Sequence, residues 1–488
     1  MENLKKQRLN KKINSCDYSL LQQVSFFLSD VFLSKDFSEP NPVQSVDSSY
    51  KQTDGNQPTL TVAFSGGLDS CVLLHILSTL RKSDGFQLIA HHVHHGLSQN
   101  ADTWADFCQE NCKQLDIPLI ISRIHVNANS PLGLEAAARQ ARYQALFSNN
   151  PSFICTAHHQ DDQAETLLLQ LARGAGVKGL AAMASVDVKK KLLRPLLAIS
   201  RTELEQYAKQ HQLAWVVDES NLYQQFDRNF MRHAILPALQ QQYPTIKQNL
   251  ARAATHLGEA NELLDVLAAQ DAKASFTEHQ PSQLFLPPLL QLSSSRINNA
   301  LRWWLAQNQI RMPSTSQLEQ ISLQLFNAKS DAAIKIKVVA DQENLQNSAD
   351  LMLRRYQDSA YLVADAVAEM PVETIWNGEP VIHLSHQSNL NFTQKSGQGF
   401  ALKYLNNKLL RIKTRAGGER FKPDLHRPNR SLKVVLQTAN LPPWQRERLP
   451  LIYLNDTLVI VPNIGVDAHF QAQPNEMGLV VTWTETNI

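Results

Sequence analysis

The residues whose chemistry is easiest to interpret are Ser65-Gly66-Gly67-Leu68-Asp69-Ser70. A largely apolar run precedes them at Thr59–Phe64, and apolar residues at helical spacing follow over Ser70–Arg81. This order predicts a strand, a tight turn and a helix. Glycine lets the turn bend sharply beside a ligand, and the first helical turn offers N–H groups at the positive end of the helix dipole. The turn is therefore expected to hold phosphate oxygens, with a strand-to-helix turn capped by Asp69 or Ser70 as the plain structural alternative.

A second polar cluster surrounds His158 and Asp162, which are four residues apart. A predicted strand ends near Thr156 and a helix begins near Asp162, so both side chains can face one crevice. A carboxylate there suits Mg²⁺, which takes oxygen ligands, and an imidazole can donate to a phosphate. Helix capping by Asp161 or Asp162, completed by Glu165, explains the acids but gives no reason for the adjacent histidines.

Two pairs of arginines add positive charge to these clusters. Arg139 and Arg142 are three apart and share one face of a predicted helix. Arg228 and Arg232 follow the last predicted strand–helix unit. Forked guanidinium groups suit phosphates, but exposed helices and surface loops also carry such arginines. The sequence by itself leaves both readings open.

The elements that would position these residues alternate between strands and helices. Predicted strands lie at Thr59–Phe64, Gln87–Val93, Pro118–Val126, Ser152–Thr156 and Trp215–Val217. Predicted helices lie at Ser70–Arg81, Ala101–Leu115, Leu134–Ser148, Gln163–Arg173 and Arg201–Gln210. The alternation predicts an α/β fold with a doubly wound parallel sheet, whose ligands bind at the carboxyl ends of the strands.

A chain of 488 residues exceeds a single hydrophobic core. The parts we expect are an N-terminal extension and linker at 1–58, a nucleotide-binding catalytic domain at 59–235, a mainly helical domain at 240–370 and a small basic mixed α/β domain at 374–488. An amphipathic helix between Leu21 and Val31 is expected to pack on the body. Short alternating runs, such as Leu432–Val435, suggest that the last part is of mixed α/β or mainly β type.

The formal charge of +2 conceals a basic C-terminal region. Between Lys403 and Arg448 there are twelve Lys or Arg residues and three acidic ones. Such an excess fits a polyanionic partner and a solvated basic face equally well.

Five cysteines without regular spacing indicate a reduced, cytoplasmic protein. Cys108 and Cys112 are expected to pack in the core, because no second cysteine pair accompanies them to bind zinc. No apolar run reaches the roughly 18 residues of a membrane-spanning helix. We therefore expect no contact with a membrane.

Taken together, the clusters resemble the tRNA(Ile)-lysidine synthase family of PP-loop N-type ATP pyrophosphatases. The matching segments are SGGLDS (65–70), VHHGL (93–97), GLEAAARQARY (133–143), AHHQDDQAET (157–166), RGAGVKGL (173–180), RPLLAISR (194–201), and DESN with DRNFMR (218–232). A distal segment, RAGGERFKP (415–423), resembles the family's small C-terminal tRNA-contacting domain. The extension Met1–Pro58 departs from the family, whose core begins close to the PP-loop strand.

The resemblance implies that L-lysine is joined to C2 of the wobble cytidine in the isoleucine tRNA with a CAU anticodon, while ATP is cleaved to AMP and pyrophosphate. It implies ATP binding at Ser65, Gly66, Gly67, Leu68, Asp69 and Ser70, and Mg²⁺ binding at Asp69 and Asp162. The catalytic residues it implies are Asp69, His158, Asp162 and Arg139. The residues it implies for tRNA or lysine contacts are Arg142, Arg228, Arg232, Arg415 and Arg420. It also implies that the 240–370 and 374–488 domains bind tRNA.

Three other functions remain as alternatives. A tRNA thiolase would need cysteines for sulfur transfer, and the chain has no Cys-x-x-Cys. An amidating PP-loop ligase would not need the basic C-terminal region. An inactive RNA-binding protein would not need an intact SGGLDS segment. A homodimer is also open, because no heptad run marks or excludes a dimer seam.

Overall fold

The structure is a computed structural model. The residues it describes are 19–33, 57–96, 98–126, 133–149, 151–217, 227–277, 279–327, 334–340, 351–364, 373–385, 388–405, 408–425 and 428–485. They divide into two compact units, Met1–Leu264 and Asp265–Ile488. The predicted linker before Pro58 and the segment DESN lie almost wholly outside the described residues.

A mostly parallel sheet forms the centre of the first unit. Its strands are β1 (Thr59–Ala63), β2 (Gln87–His94), β3 (Leu119–Arg123), β4 (Phe153–Cys155), β5 (Val186–Asp187) and β6 (Leu192–Leu193). The strand order is β3-β2-β1-β4-β6-β5, and β5 is antiparallel to β6. The order reverses between β1 and β4, so the ends of these two strands frame the crevice in which such folds bind ligands. The predicted α/β fold is confirmed.

Helices connect and cover these strands. They are α1 (Leu20–Leu33), α2 (Leu68–Leu80), α3 (Ala101–Gln114), α4 (Leu134–Phe147), α5 (Gln160–Ala172), α6 (Val177–Leu180), α7 (Arg201–Gln210), α8 (Asp227–Phe230), α9 (Leu236–Gln242) and α10 (Ile246–Ala272). A π-helix, Met231–Ile235, joins α8 to α9. Leu60 and Val62 pack in the larger hydrophobic cluster and Ala63 against a smaller one, because alternate side chains of a strand point to opposite faces.

The predicted N-terminal helix is confirmed, since Val24, Leu28 and Val31 are buried in the larger cluster. The prediction of a strand at Trp215–Val217 is wrong. Val216 makes a single backbone bond to the Gly66 carbonyl at 2.9 Å, and β6 takes the place beside β4 instead. A strand of two residues is too short to give a periodic signal in the sequence.

The second unit combines helices with antiparallel sheets. Its helices are α11 (Ser294–Gln307), α12 (Thr315–Asn327), α13 (Leu432–Thr438) and α14 (Pro443–Arg448), with 3₁₀ turns at Pro287–Gln291, Leu402–Leu405 and Ala468–Phe470. Its strands are β7 (Gln283–Phe285), β8 (Lys335–Val338), β9 (Leu351–Tyr356), β10 (Ser359–Ala364), β11 (Glu373–Trp376), β12 (Val381–Ser385), β13 (Ser388–Ser396), β14 (Phe400–Ala401), β15 (Leu410–Lys413), β16 (Arg420–Phe421), β17 (Arg430–Ser431), β18 (Leu451–Leu454), β19 (Thr457–Val461), β20 (Gly465–Val466) and β21 (Met477–Glu485).

These strands form four sheets, ordered β7-β10-β9-β8, β11-β15-β18-β19-β20, β12-β13-β21-β14 and β16-β17. The run Leu432–Val435 opens α13, in which Leu432 and Leu436 are buried one helical turn apart. Across the described residues of both units, no helix has the length and apolarity to span a membrane.

Candidate active site

The turn after β1 is closed by its own side chains. Ser65 Oγ lies 3.1 Å from Ser70 Oγ, and the Ser70 hydroxyl donates to the Gly67 carbonyl at 2.9 Å. Gly66 has φ +81°, and a Cβ at this position would lie 3.1 Å from Cys108 Sγ. The positive φ therefore favours glycine at position 66, and a side chain there would also press on Cys108. Gly67 is the N-cap of α2, so the first N–H groups of that helix are presented at the end of β1.

A histidine links this turn to the cluster after β4. His159 is the N-cap of α5, and its backbone N–H donates to Asp162 at 3.0 Å. His159 Nε2 lies 3.7 Å from Asp69 Oδ2 and 3.5 Å from Asp162 Oδ2, and its ring is buried. The structure thus brings Asp69 and Asp162 to one imidazole. Asp162 therefore both caps α5 and places a carboxylate in the crevice.

Two arginines bind the carboxylates of α5. Arg228 donates to Asp162 at 2.7 Å and to Glu165 at 2.8 Å. Arg232 donates to Asp162 at 3.1 Å and to Glu165 at 2.6 Å. The Glu165 side chain is only 1% exposed, so its charge depends on these guanidinium groups. Sequence reasoning assigned Glu165 a capping role alone, although its spacing of three from Asp162 already puts both acids on one helix face.

Two further cations complete the polar network. Arg201 Nη1 lies 2.5 and 2.6 Å from the two carboxylate oxygens of Asp69. Lys247 Nζ lies 2.6 Å from Asp161 Oδ2. Sequence reasoning missed both residues. Arg201 ends the family-like segment RPLLAISR, which is a usable signal, whereas nothing in the sequence near Lys247 points to Asp161.

The two carboxylates of the crevice differ in acidity. Burial raises the pKa of Asp69, and the charges of His159 and Arg201 only partly oppose it. Burial acts in the same direction on Asp162, but His159 and Arg228 outweigh burial and lower the pKa of Asp162 to about 2. Asp162 is therefore ionised throughout the physiological pH range.

His158 has an environment unlike that of His159. Its Nδ1 lies 2.8 Å from Thr156 Oγ1. Burial, together with the positive charges of Arg228, Arg194 and Arg139, lowers the pKa of this histidine to about 3. The His158 imidazole is thus neutral near pH 7 and has one N–H to donate.

The neutral His158 predicts a loss of stability in acid. The unfolded chain binds the proton near pH 6.5 and the folded chain only near pH 3, so acid favours the unfolded state below pH 6.5. We expect the free energy of unfolding to fall by about 2 kcal/mol between pH 6.5 and pH 5 from this residue. Urea unfolding at the two pH values measures the fall, which should be smaller by that amount in His158→Gln. An equal fall in both proteins would contradict a neutral imidazole.

The remaining predicted residues lie in two places. Arg139 and Arg142 are exposed on α4, with Cζ 5.1 and 5.8 Å from the Tyr143 ring centroid. Arg415 and Arg420 belong to the second unit, where Arg415 Nε lies 3.4 Å from Glu419 and Arg420 donates to the Asn429 carbonyl at 2.6 Å. The crevice of the first unit therefore gathers Asp69, His158 and Asp162 with Arg228 and Arg232.

Comparison with known proteins identifies the family. Three family models match the chain: a PP-loop domain at residues 41–239, a TilS substrate binding domain at 284–361 and a TilS substrate C-terminal domain at 410–483. A tRNA(Ile)-lysidine synthase of Nitrosomonas europaea is 43% identical over 435 residues, which are 88% of this chain and 92% of the relative. One of Coxiella burnetii is 37% identical over 424 residues, 86% of this chain and 91% of the relative. The chain belongs to the tRNA(Ile)-lysidine synthase family.

Membership of the lysidine synthase family makes the chain an ATP-using PP-loop ligase, as the sequence predicts. The four described cysteines are poorly suited to the sulfur transfer of a thiolase. Cys71, Cys112 and Cys155 are buried, and burial raises the pKa of each to about 12. Burial also raises the pKa of Cys108. Sulfur transfer needs a thiolate, and no cysteine in the described ranges provides one.

The crevice of this lysidine synthase family member fits Mg²⁺ by the chemistry of its donors. Asp69 and Asp162 offer the carboxylate oxygens that Mg²⁺ prefers, close to the same His159 nitrogen. Among the described residues there is no group of three or more His, Cys, Asp or Glu that could hold a metal. Two carboxylates with phosphate oxygens and water are nevertheless the usual ligand set of Mg²⁺ in nucleotide sites.

Proposed function

We propose that this protein joins L-lysine to C2 of the wobble cytidine in the CAU-anticodon isoleucine tRNA. Its family membership supports this reaction. The single structural observation that carries it is the meeting of Asp69, which follows the PP-loop glycines, with Asp162 at one imidazole where the strand order reverses. That crevice suits ATP and a nucleobase side by side.

The reaction has two steps. ATP lies over Ser65–Ser70, and the cytosine C2 carbonyl oxygen attacks the α-phosphorus. The bond from that phosphorus to the bridging oxygen breaks, and pyrophosphate leaves. A lysine amine then attacks C2 and loses a proton, the C2–O bond breaks, and AMP leaves. The positions and charges of the groups supply most of the catalysis, since no covalent enzyme intermediate is needed.

Each side chain of the crevice has a proposed role. Asp69 and Asp162 would hold Mg²⁺, which when bound neutralises phosphate charge. His158 donates its single N–H to the phosphate or to the reacting base, and Arg139 contacts ATP or the incoming substrate. Arg228 and Arg232, held on Asp162 and Glu165, face the lysine or the RNA strand.

The base must reach the crevice from a single-stranded loop, which is how proteins read RNA sequence. The basic C-terminal domain would orient the tRNA through phosphates. The reaction takes place in the cytoplasm, and the division at 58, 235–240 and 370–374 remains our proposal for the domains. A homodimer stays a prediction.

Mass spectrometry of nucleosides tests the proposed function. The purified protein is incubated with tRNA, ATP and isotope-labelled lysine, and the tRNA is digested. We expect labelled lysidine, with one AMP and one pyrophosphate for each lysine, and no AMP when either tRNA or lysine is left out. AMP formation that depends on glutamine or ammonia instead of lysine would replace the proposal with an amidating ligase.

The C-terminal arginines predict a defect in tRNA binding. Arg415→Ala combined with Arg420→Ala should raise the apparent KM for tRNA about tenfold, because two phosphate contacts are lost, and should leave kcat nearly unchanged. The dependence of KM on salt should become shallower. Steady-state rates at several salt concentrations measure both effects. A fall in kcat at unchanged KM would give this domain a role in chemistry instead.

A further inference from the structure

Arg194 is a buried cation that has no role in the proposed reaction. It follows β6 directly and is 7% exposed. Its Nη1 donates to the Ala184 carbonyl at 2.6 Å, and its guanidinium group lies close enough to Tyr143 for the two side chains to interact electrostatically. Its Nε has no hydrogen-bond partner among the described residues. A buried N–H without an acceptor is unfavourable, so this group points to an acceptor that a ligand supplies.

Tyr143 gathers two more arginines around Arg194. Arg139 Nη2 lies 3.5 Å from the Tyr143 hydroxyl, and the Arg139 and Arg142 guanidinium groups lie 5.1 and 5.8 Å from the ring centroid. Three guanidinium groups therefore meet at one tyrosine. Arg139 and Arg194 are close enough for each to act on the charge of His158.

Among the residues that the structure describes, these three arginines lack the carboxylate partners that Arg228 and Arg232 have. In the described part of the chain, no carboxylate oxygen lies within 4.0 Å of a guanidinium nitrogen of Arg139, Arg142 or Arg194. Asp187 acts on Arg194 from beyond that distance. The cluster thus has an excess of positive charge, and forked guanidinium groups match the several oxygens of a phosphate.

The position of the cluster separates it from the PP-loop. The PP-loop follows β1 and Arg194 follows β6, with β4 between them in the sheet. Strands are about 4.8 Å apart, so the two anion sites stand roughly 10 Å apart along the sheet edge. A nucleotide whose base lies over the end of β4, at His158, carries its own backbone phosphates to the sides of that position.

We propose that Arg139, Arg142 and Arg194, arranged around Tyr143, bind a phosphodiester of the RNA strand next to the target nucleotide. This site rests on the proposed function and deepens it. It orients the strand without reading its sequence, because a phosphate carries no base identity. The PP-loop is left to the phosphates of ATP.

Binding of an RNA hairpin tests the site without ATP, lysine or turnover. The hairpin is an anticodon stem-loop with a CAU loop, in which one loop phosphate at a time is replaced by an uncharged methylphosphonate. Fluorescence anisotropy gives the Kd. We expect a methylphosphonate beside the target cytidine to weaken binding to the wild-type protein about tenfold. In Arg142→Gln the same replacement should cost clearly less than in the wild type, because one of the three guanidinium contacts to that phosphate is already lost.

Two variants sharpen the test. Arg194→Lys keeps the charge but loses the fork, so it should weaken binding of the all-phosphate hairpin and reduce its sensitivity to the methylphosphonate. Arg81→Gln is the matched control. Arg81 lies at the C-terminal end of α2, whereas the PP-loop precedes its N-terminal end, and its side chain donates to the Asp116 carbonyl. This variant should bind both hairpins as the wild type does. Arg142 is exposed, so its variant carries the test even if Arg194→Lys does not fold.

Two results would overturn the site. Equal, additive losses from the methylphosphonate in wild type and Arg142→Gln would show that the arginine and the phosphate do not meet. If the cluster variants raised the Kd for ATP or the KM for lysine and left RNA binding unchanged, the cluster would instead bind the nucleotide or the carboxylate of the amino acid. Lysidine formation by the wild-type protein is measured separately, so failure of this site is distinguishable from failure of the proposed function.

Discussion

Asp69→Asn is expected to lower kcat/KM for lysidine formation by roughly 10³-fold, and Asp162→Asn by a similar factor. Both carboxylates flank His159, and each holds an arginine of the crevice, Arg201 on Asp69 and Arg228 on Asp162. Asparagine keeps the size of the side chain but removes the charge that would hold Mg²⁺ and position these cations. Release of AMP and formation of lysidine, measured at saturating tRNA, give the rates.

The control for these variants is Asp116→Asn. Asp116 is fully exposed and has φ +53°, a conformation that asparagine adopts readily. This variant should keep the wild-type rate. If Asp69→Asn or Asp162→Asn also kept a near-normal rate, the carboxylates would have no part in the reaction and the metal assignment would be withdrawn.

Glu165→Gln is expected to lower the free energy of unfolding by about 3 kcal/mol and to reduce lysidine formation at the same time. Glu165 accepts from both Arg228 and Arg232 and is almost wholly buried. Removing its charge leaves two guanidinium groups only partly compensated, and Arg228 and Arg232 then lose the fixed geometry in which they face the crevice. Urea unfolding measures the first effect, and a lysidine assay below the unfolding transition measures the second.

Glu259→Gln provides the matched change at the surface. Glu259 pairs with His256 at 3.4 Å, and both side chains are about two-thirds exposed. We expect its loss to alter the free energy of unfolding by less than about 0.5 kcal/mol, since exposed ion pairs contribute little. Comparable losses in Glu165→Gln and Glu259→Gln would mean that the buried network does not stabilise the fold.

Local features of the site could be predicted from the sequence. The turn at Ser65–Ser70 follows from Gly66, because glycine adopts φ +81° without the strain that a side chain would add. The helix at Arg201–Gln210 follows from periodicity and from its Ser200 cap, and its bounds agree with the prediction. The strand β6 and the helix at Leu432–Thr438 could not be predicted, because two residues, or one helical turn of apolar residues, carry too little pattern.

The family, the α/β fold and the segments that carry the chemistry can be identified from the amino-acid sequence, because glycine conformation, helix caps and apolar periodicity act between near neighbours in the chain. The pairing of the charged side chains depends instead on contacts between distant parts of the chain. Arg201 reaches Asp69 across 132 positions, Lys247 reaches Asp161 across 86, and Arg228 reaches Asp162 across 66. Such pairs form because parallel crossovers bring the ends of β1 and β4 together and burial makes an unpaired charge costly. Neither the crossovers nor the burial can be predicted from the residues next to each charged residue in the sequence.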